Sequence, residues 1–287
     1  MVVQDRRGGA AVVAAACGTG LAVGLLTTGC SPDGAAADDQ EPAGRSPVAA
    51  AAQVRGSADV LLRARSAEVR SAMETVSGGT LVAIRGTGGY DFTTSTGRLR
   101  VVLPDPAGRP AEGRQPITEI FAPGALYMKN RGAGVPADKW VRVDTAALAD
   151  GNLVTGGATD PLTAAELLRG AREVTYQGEE RMGGVRVRHY RGTTDIARAA
   201  RAASPGTRPA LVAAEKGFTT DTVPFDAYLD EAGRLRKVRQ SFRFANGAPN
   251  GASVTSTTEL SGFGTPVVVR LPDRRDIYAG KIASAAP

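Results

Sequence analysis

The sequence RLRKVRQSFRF, from Arg234 to Phe244, alternates apolar and basic side chains. One side carries Val238, Phe242 and Phe244, and the other carries Lys237, Arg239 and Arg243. VRVRHYRG, which begins at Val185, alternates in the same way: one side carries Val185, Val187 and His189, and the other carries Arg186, Arg188 and Tyr190. Successive side chains of a strand point to opposite faces of a sheet. These stretches therefore predict an antiparallel sheet with one covered apolar face and one solvated face.

Further strand-like runs, separated by turn sequences such as Pro123-Gly124, occupy most of the chain after residue 80. The predicted strands are Thr80–Thr87, Tyr90–Thr94, Arg98–Leu103, Pro116–Phe121, Leu126–Asn130, Trp140–Asp144, Glu173–Gly178, Val185–Arg191, Val223–Leu229, Arg234–Phe244 and Ala252–Leu260. A sheet of roughly ten strands twists too strongly to stay flat. We therefore predict a strongly curved antiparallel sheet, a half-barrel.

Helical patterns interrupt the strands at several places. Ala58–Met73 places Leu61, Leu62, Val69 and Met73 on one helical face. Asp160-Pro161 combines an N-cap residue with proline at the first helical position. Asp195–Ala203 and Pro209–Lys216 also have helical patterns. We expect these helices to cover the concave apolar face of the sheet, which gives an α+β domain.

The order of these features resembles the LppX/LprG-type lipoproteins of Actinobacteria, which share the LolA/LolB-like half-barrel. The resemblance runs from about Val54 to Pro272. It is carried by Gly124-Ala125-Leu126-Tyr127, the strand Trp140–Asp144, the helix after Asp160-Pro161, the hairpin Gly178–Val185, and Phe263-Gly264-Thr265-Pro266-Val267. No single piece is diagnostic, so the resemblance rests on their order.

The resemblance implies a protein that holds acyl chains of lipids, glycolipids or lipoproteins between sheet and helices, as a carrier or chaperone in envelope lipid transport. We expect the helix wall of this cavity to contain Leu61, Leu62, Val69 and Met73. We expect the sheet wall to contain Leu81, Val101, Leu103, Leu126 and Val238. A non-enzymatic interaction or sensor module with a packed core is the alternative.

The N-terminal region predicts export and lipidation. Residues 1–29 combine a basic start, an apolar run and small residues, as a bacterial signal peptide does. Leu26-Thr27-Thr28-Gly29-Cys30 resembles a lipobox, although the family pattern has leucine where Thr27 stands. We therefore predict lipidation of Cys30 and attachment to the outer face of the cell membrane, with an uncleaved helix as the alternative. Residues 30–56 are predicted to be a flexible tether, 57–272 the lipid-binding domain and 273–287 a tail.

The composition and motifs argue against several other classes of function. The chain has 35 Lys and Arg against 29 Asp and Glu. It lacks the clustered basic runs and interleaved aromatics of nucleic-acid binders. His189 is the only histidine, and it lies in mid-strand, where a packed histidine is the usual case. No nucleophile elbow, phosphate loop or metal-ligand spacing occurs. We expect a monomeric binding protein without catalytic residues, cofactor or metal, which could work with a membrane transporter.

Overall fold

The computed structural model describes residues 46–77, 80–103, 115–244 and 252–280. The predicted signal peptide, Cys30 and residues 31–45 of the predicted tether lie outside these ranges. The helices are α1 (Pro47–Ala64), α2 (Pro161–Leu167), α3 (Ile196–Ala202) and α4 (Arg208–Gly217). The strands are β1 (Ser66–Ser77), β2 (Thr80–Asp91), β3 (Thr96–Val102), β4 (Ile117–Ala122), β5 (Ala125–Lys129), β6 (Trp140–Asp144), β7 (Ala171–Met182), β8 (Val185–Asp195), β9 (Thr222–Asp230), β10 (Leu235–Phe244) and β11 (Ala252–Ser261).

All these strands form one open, curved antiparallel sheet. Their order is β6-β5-β4-β3-β2-β1-β11-β10-β9-β8-β7, so the first and last strands of the sequence pair in the middle of the sheet. On either side of that pair the chain runs as successive antiparallel neighbours, and the edges are β6 and β7. The predicted α+β fold, with a half-barrel sheet and helices on its apolar face, is confirmed.

The first helix begins earlier than the sequence pattern predicted. Ser46 caps α1 through its Oγ, which accepts a hydrogen bond from the amide of Ala49 at 3.3 Å, and Pro47 occupies the first turn. The predicted tether is therefore shorter, because residues 47–56 belong to α1. The alanines that made this segment look unstructured are strong helix formers, and Ala50 and Val54 bury their side chains.

The helix also ends earlier, because Ser66–Ser77 is a strand and not the second half of a helix. Arg65, with φ of 69°, turns the chain back between α1 and β1. The residues Ala67, Val69 and Met73 also fit a period of two, and all three are buried. Pairing with β2 on one side and β11 on the other overrides the helix propensity of this segment.

The connection from β6 to β7 and the insertion after β8 supply the rest of the cover. In α2, the side chain of Asp160 accepts a hydrogen bond from the amide of Thr163 at 2.8 Å, as the sequence predicted for the N-cap. The buried amide of Gln240 on β10 donates to the Ala164 carbonyl at 3.0 Å and fixes α2 to the sheet. One core cluster joins α1 and α2 to the sheet, and a second joins α3 and α4 to Phe242 on β10.

The segment after β11 adds to the domain beyond its predicted end at residue 272. The amide of Tyr278 donates to the carbonyl of Trp140 at 2.8 Å, so part of the predicted tail pairs with edge strand β6. Among the described residues, no helix has the length and apolar character needed to cross a bilayer.

Candidate functional site

The concave face and its helices enclose an apolar interior that contains most of the predicted cavity residues. Leu61 on α1, Val101 on β3, Leu126 on β5 and Val238 on β10 are buried in one core cluster, and Leu103 packs against it. Val69 and Met73 are also buried, but they belong to β1 and not to a helix wall. The core cluster therefore brings Val69 together with Leu61, Val101, Leu126 and Val238 between sheet and helices, whereas Met73 belongs to neither core cluster.

Two predicted cavity residues lie elsewhere. Leu62 is 36% exposed, because Leu61, its neighbour on α1, takes the inward position on the helix. Leu81 is 63% exposed near the β1–β2 turn, where it pairs with Val76 on the outer face of the sheet. Neither side chain can line the interior in this conformation. The inward phase of β8 also differs from the prediction: Tyr190 joins the core cluster, whereas Val185, Val187 and His189 do not.

A small cavity lies beside the N-terminus of α2, near the turn between β4 and β5. Its volume is about 40 Å³, and Tyr90, Phe121, Leu162 and Asn152 are among its lining residues. The side-chain amide of Asn152 is buried without a hydrogen bond. Tyr90 donates to the carboxylate of Asp160 at 2.9 Å, and burial raises the pKa of this carboxyl group. The cavity can hold a few water molecules.

A cluster of charged residues fastens α1 to the rest of the cover. The guanidinium of Arg169 lies 2.6 Å from a carboxylate oxygen of Asp59 on α1 and 2.6 Å from one of Glu166 on α2. The amide of Ser204, in the connection after α3, donates to Glu166 at 3.1 Å. We call Asp59, Glu166 and Arg169 the clasp. The hydrogen bond from Arg169 lowers the pKa of Asp59, so the pair stays ionised.

Glu119 is the most unusual charged residue of the interior. It lies on β4 in the phase of Ile117 and Phe121, is fully buried, and has no hydrogen bond to either carboxylate oxygen. Burial raises its pKa to about 8, although the guanidinium of Arg131, 3.8 Å away, acts in the opposite direction. Arg131 also donates to the carbonyls of Gly156 and Thr155. A carboxyl group with this pKa is mostly protonated at neutral pH.

His189 is packed against the sheet, as expected for a histidine in mid-strand. Its ring stacks on Tyr228 with centroids 4.3 Å apart and an interplanar angle of 10°. Nε2 lies 2.8 Å from Asp226, and Nδ1 lies 3.1 Å from Glu180. Asp226 also accepts from Arg191 at 3.0 Å, and no serine or cysteine side chain is among these partners. Within the described ranges, no group of three or more His, Cys, Asp or Glu residues could hold a metal ion.

The sequence prediction missed the clasp and Glu119. In the clasp, Asp59 and Arg169 are 110 positions apart in the chain, so no local spacing announces their contact. Glu119 did leave a signal, because ITEIFA places a carboxylate in the apolar phase of a strand. If Ile117 and Phe121 face the core, the alternation of the strand also turns Glu119 towards the core and predicts a buried acid.

Some solved structures of bacterial proteins have a similar arrangement of strands and helices. No protein-family model matches the sequence, and no curated protein matches it. Among solved structures, the Mycobacterium tuberculosis lipoprotein LppX has 15% identity and a TM-score of 0.47, covering 78% of this chain and 100% of its own. LprF from Mycobacterium bovis has 15% identity and a TM-score of 0.41, covering 79% and 98%. A putative outer membrane lipoprotein-sorting protein domain from Vibrio parahaemolyticus has 9% identity and a TM-score of 0.28, covering 75% and 95%. At these values the similarity concerns the arrangement of strands and helices alone.

Proposed function

We propose that this chain is an exported, non-enzymatic lipoprotein that binds the acyl chains of lipids or lipoproteins between its sheet and its helices. Lipidation of Cys30 would hold it at the outer face of the membrane. In that position it would act as a carrier or chaperone, passing acylated molecules to another component such as a membrane transporter.

The observation that carries this proposal is the large apolar core cluster that lies between the sheet and the helices α1 and α2. The buried side of α1 consists mainly of small residues: Ala50, Ala51, Val54, Ser57, Ala58 and Leu61. A cover with small side chains loses little packing when it moves away from the sheet. Each methylene of an acyl chain that takes its place contributes about 0.8 kcal/mol, so a long chain can offset the contacts that are lost.

Acyl binding between the sheet and the helices requires the helical cover to move away from the conformation described here. Ligand pockets in proteins usually measure about 300–1,000 Å³, whereas the cavity beside α2 measures about 40 Å³. The polar contacts that would have to break include the clasp and the two hydrogen bonds, of 2.8 and 2.6 Å, from the guanidinium of Arg55 on α1 to the Ala171 carbonyl on β7. They also include the hydrogen bond of 2.7 Å from the Tyr190 hydroxyl on β8 to Gln53 on α1. We propose that the closed state described here is the unloaded one.

A surface interaction or sensor module with a permanently packed core is the second candidate. It is favoured by the complete burial of Leu61, Val101, Leu126 and Val238 and by the small size of the cavity. In this reading the interior only stabilises the domain, and recognition takes place on the outer surface.

A matched pair of tryptophan variants distinguishes these candidates. Val69 faces the interior from β1, whereas Thr87 is exposed on the neighbouring strand β2. We expect Val69→Trp to lose binding of a fluorescent fatty acyl probe, and Thr87→Trp to bind it like wild type. If wild type binds no probe and Val69→Trp only unfolds more easily, the packed interaction module is the better account.

A further inference from the structure

The outer face of the sheet carries arginines and exposed aliphatic side chains at its β1–β2 end. The strand register places Arg243, Ser253, Val76 and Leu81 in one row across β10, β11, β1 and β2. Two rows further along, Arg239, Thr257, Ala72, Arg85 and Val102 lie side by side. We define the tip patch as Val76, Leu81, Arg85, Val102, Arg239 and Arg243.

Every member of the tip patch points away from the core. Val76, Leu81 and Val102 are 45%, 63% and 43% exposed, respectively. They alternate with residues of the covered face, as Val102 does with the buried Val101. Aliphatic side chains are rarely grouped in this way on the surface of a protein unless the group makes contact with a partner.

Within the described part of the chain, no carboxylate pairs with the arginines of the tip patch. Among the described residues, the guanidiniums of Arg85, Arg239 and Arg243 take part in no ion pair or hydrogen bond. Glu74, in the row between them, is the one carboxylate on this part of the described surface. On β8, by contrast, Arg186 lies 3.7 Å from Glu179 and 3.8 Å from Glu231. The patch therefore presents a net positive charge.

We propose that the tip patch docks on an anionic phospholipid bilayer. Aliphatic side chains gain free energy by entering the acyl region at the interface. The guanidiniums can remain beside them at the level of the lipid phosphates, because long basic side chains extend towards polar surroundings. A lipid anchor at Cys30 would keep the domain within reach of that surface. The proposal does not depend on acyl binding in the interior.

Docking would orient the domain as well as retain it. A tether alone leaves the domain free to rotate, whereas contact through one end of the sheet fixes the outer face of β1–β3 and β10–β11 towards the lipid. Arg186 and Arg188 on β8 lie outside the tip patch: Arg186 is 3.7 Å from Glu179, and Arg188 contacts the Asp230 carbonyl at 3.4 Å.

The test uses a local probe, so that membrane binding by the N-terminal region does not obscure the result. The test uses the full chain with Cys17→Ser and Cys30→Ser, so that the cysteine introduced by Thr80→Cys is the only one. An environment-sensitive fluorophore attached at position 80 lies beside Leu81, which is not mutated. Leu271→Cys is the matched control, because Leu271 is also exposed but lies in the segment after β11. Vesicles contain phosphatidylcholine with or without phosphatidylglycerol, and brominated lipids serve as quenchers.

We expect a blue shift and quenching of the probe at position 80 with phosphatidylglycerol vesicles, and neither at position 271. The double variant Arg85→Glu with Arg243→Glu should weaken this response at least about tenfold, and Arg186→Glu should leave it unchanged. An absent response at position 80, or equal responses at the two positions, would overturn the proposal. A response that neutral vesicles reproduce and the double variant retains would also overturn it.

Discussion

Replacing Glu119 with Gln tests the electrostatics of the interior most sharply. In the folded chain burial raises the pKa of Glu119 to about 8, whereas an exposed glutamate titrates near 4.5. Between these two values the folded protein holds a proton that the unfolded chain has released, so stability falls as the pH rises. Each pKa unit corresponds to about 1.4 kcal/mol, which gives a loss on the order of 3 kcal/mol between pH 5 and pH 7.

Glutamine keeps the shape of the protonated side chain but cannot ionise. We therefore expect Glu119→Gln to remove most of this pH dependence and to be more stable than wild type at pH 8 and above. Stability below pH 5 should change little, because the wild-type side chain is neutral there. The assay is urea unfolding at pH values from 5 to 9, followed by far-ultraviolet circular dichroism.

Glu74→Gln is the control, because Glu74 is an exposed glutamate on the outer face. The free energy of unfolding of this variant should depend on pH as it does in the wild-type protein. The reasoning would be refuted if Glu119→Gln and wild type lost the same amount of stability between pH 5 and pH 8. That result would mean that Arg131 holds the carboxylate ionised despite its burial.

Three further predictions concern the clasp, the anchor and two glycines. Arg169→Met should destabilise the closed conformation by about 3–5 kcal/mol, because it leaves the buried carboxylate of Glu166 without its cation. The same variant should take up an acyl probe faster in stopped-flow measurements. Cys30→Ser should release the processed chain from the membrane fraction, whereas Cys17→Ser should leave it there. Gly56→Ala should stabilise α1 by about 0.5–1 kcal/mol in thermal melts, because an added Cβ meets no atom within 4 Å apart from the nearby backbone of the helix itself. Gly88→Ala should instead destabilise the protein in the same thermal melts, because its Cβ would collide with a backbone carbonyl of β3.

The strands were the most predictable part of the fold. Trp140–Asp144 was predicted with the bounds that the structure shows, and the helix after Asp160 begins at its predicted N-cap and proline. Both depend on local signals, namely alternation, turn residues and capping. The overall curved sheet follows from the number of consecutive strands.

The predictions failed where tertiary contacts decide between two local options. Residues 47–56 form a helix because α1 has a sheet to pack on, and Ser66–Ser77 becomes a strand because it has partners on both sides. In β8 neither Val185 nor Val187 belongs to the core cluster, and the cluster instead receives Tyr190, whose hydroxyl donates to Gln53 on α1 at 2.7 Å. Alternation identifies two faces, but it does not say which face the cover meets.

The central claim is that the interior takes up acyl chains, and mass spectrometry of an organic extract tests it most directly. The extract is made from the purified, folded chain carrying Cys30→Ser, so that acyl groups of the anchor do not contribute. The account predicts acyl lipids in stoichiometric amounts from this protein and their depletion when Val69→Trp is added. Absence of acyl lipid from the folded protein, together with a loss of about 1–3 kcal/mol of stability in Val69→Trp, would contradict it.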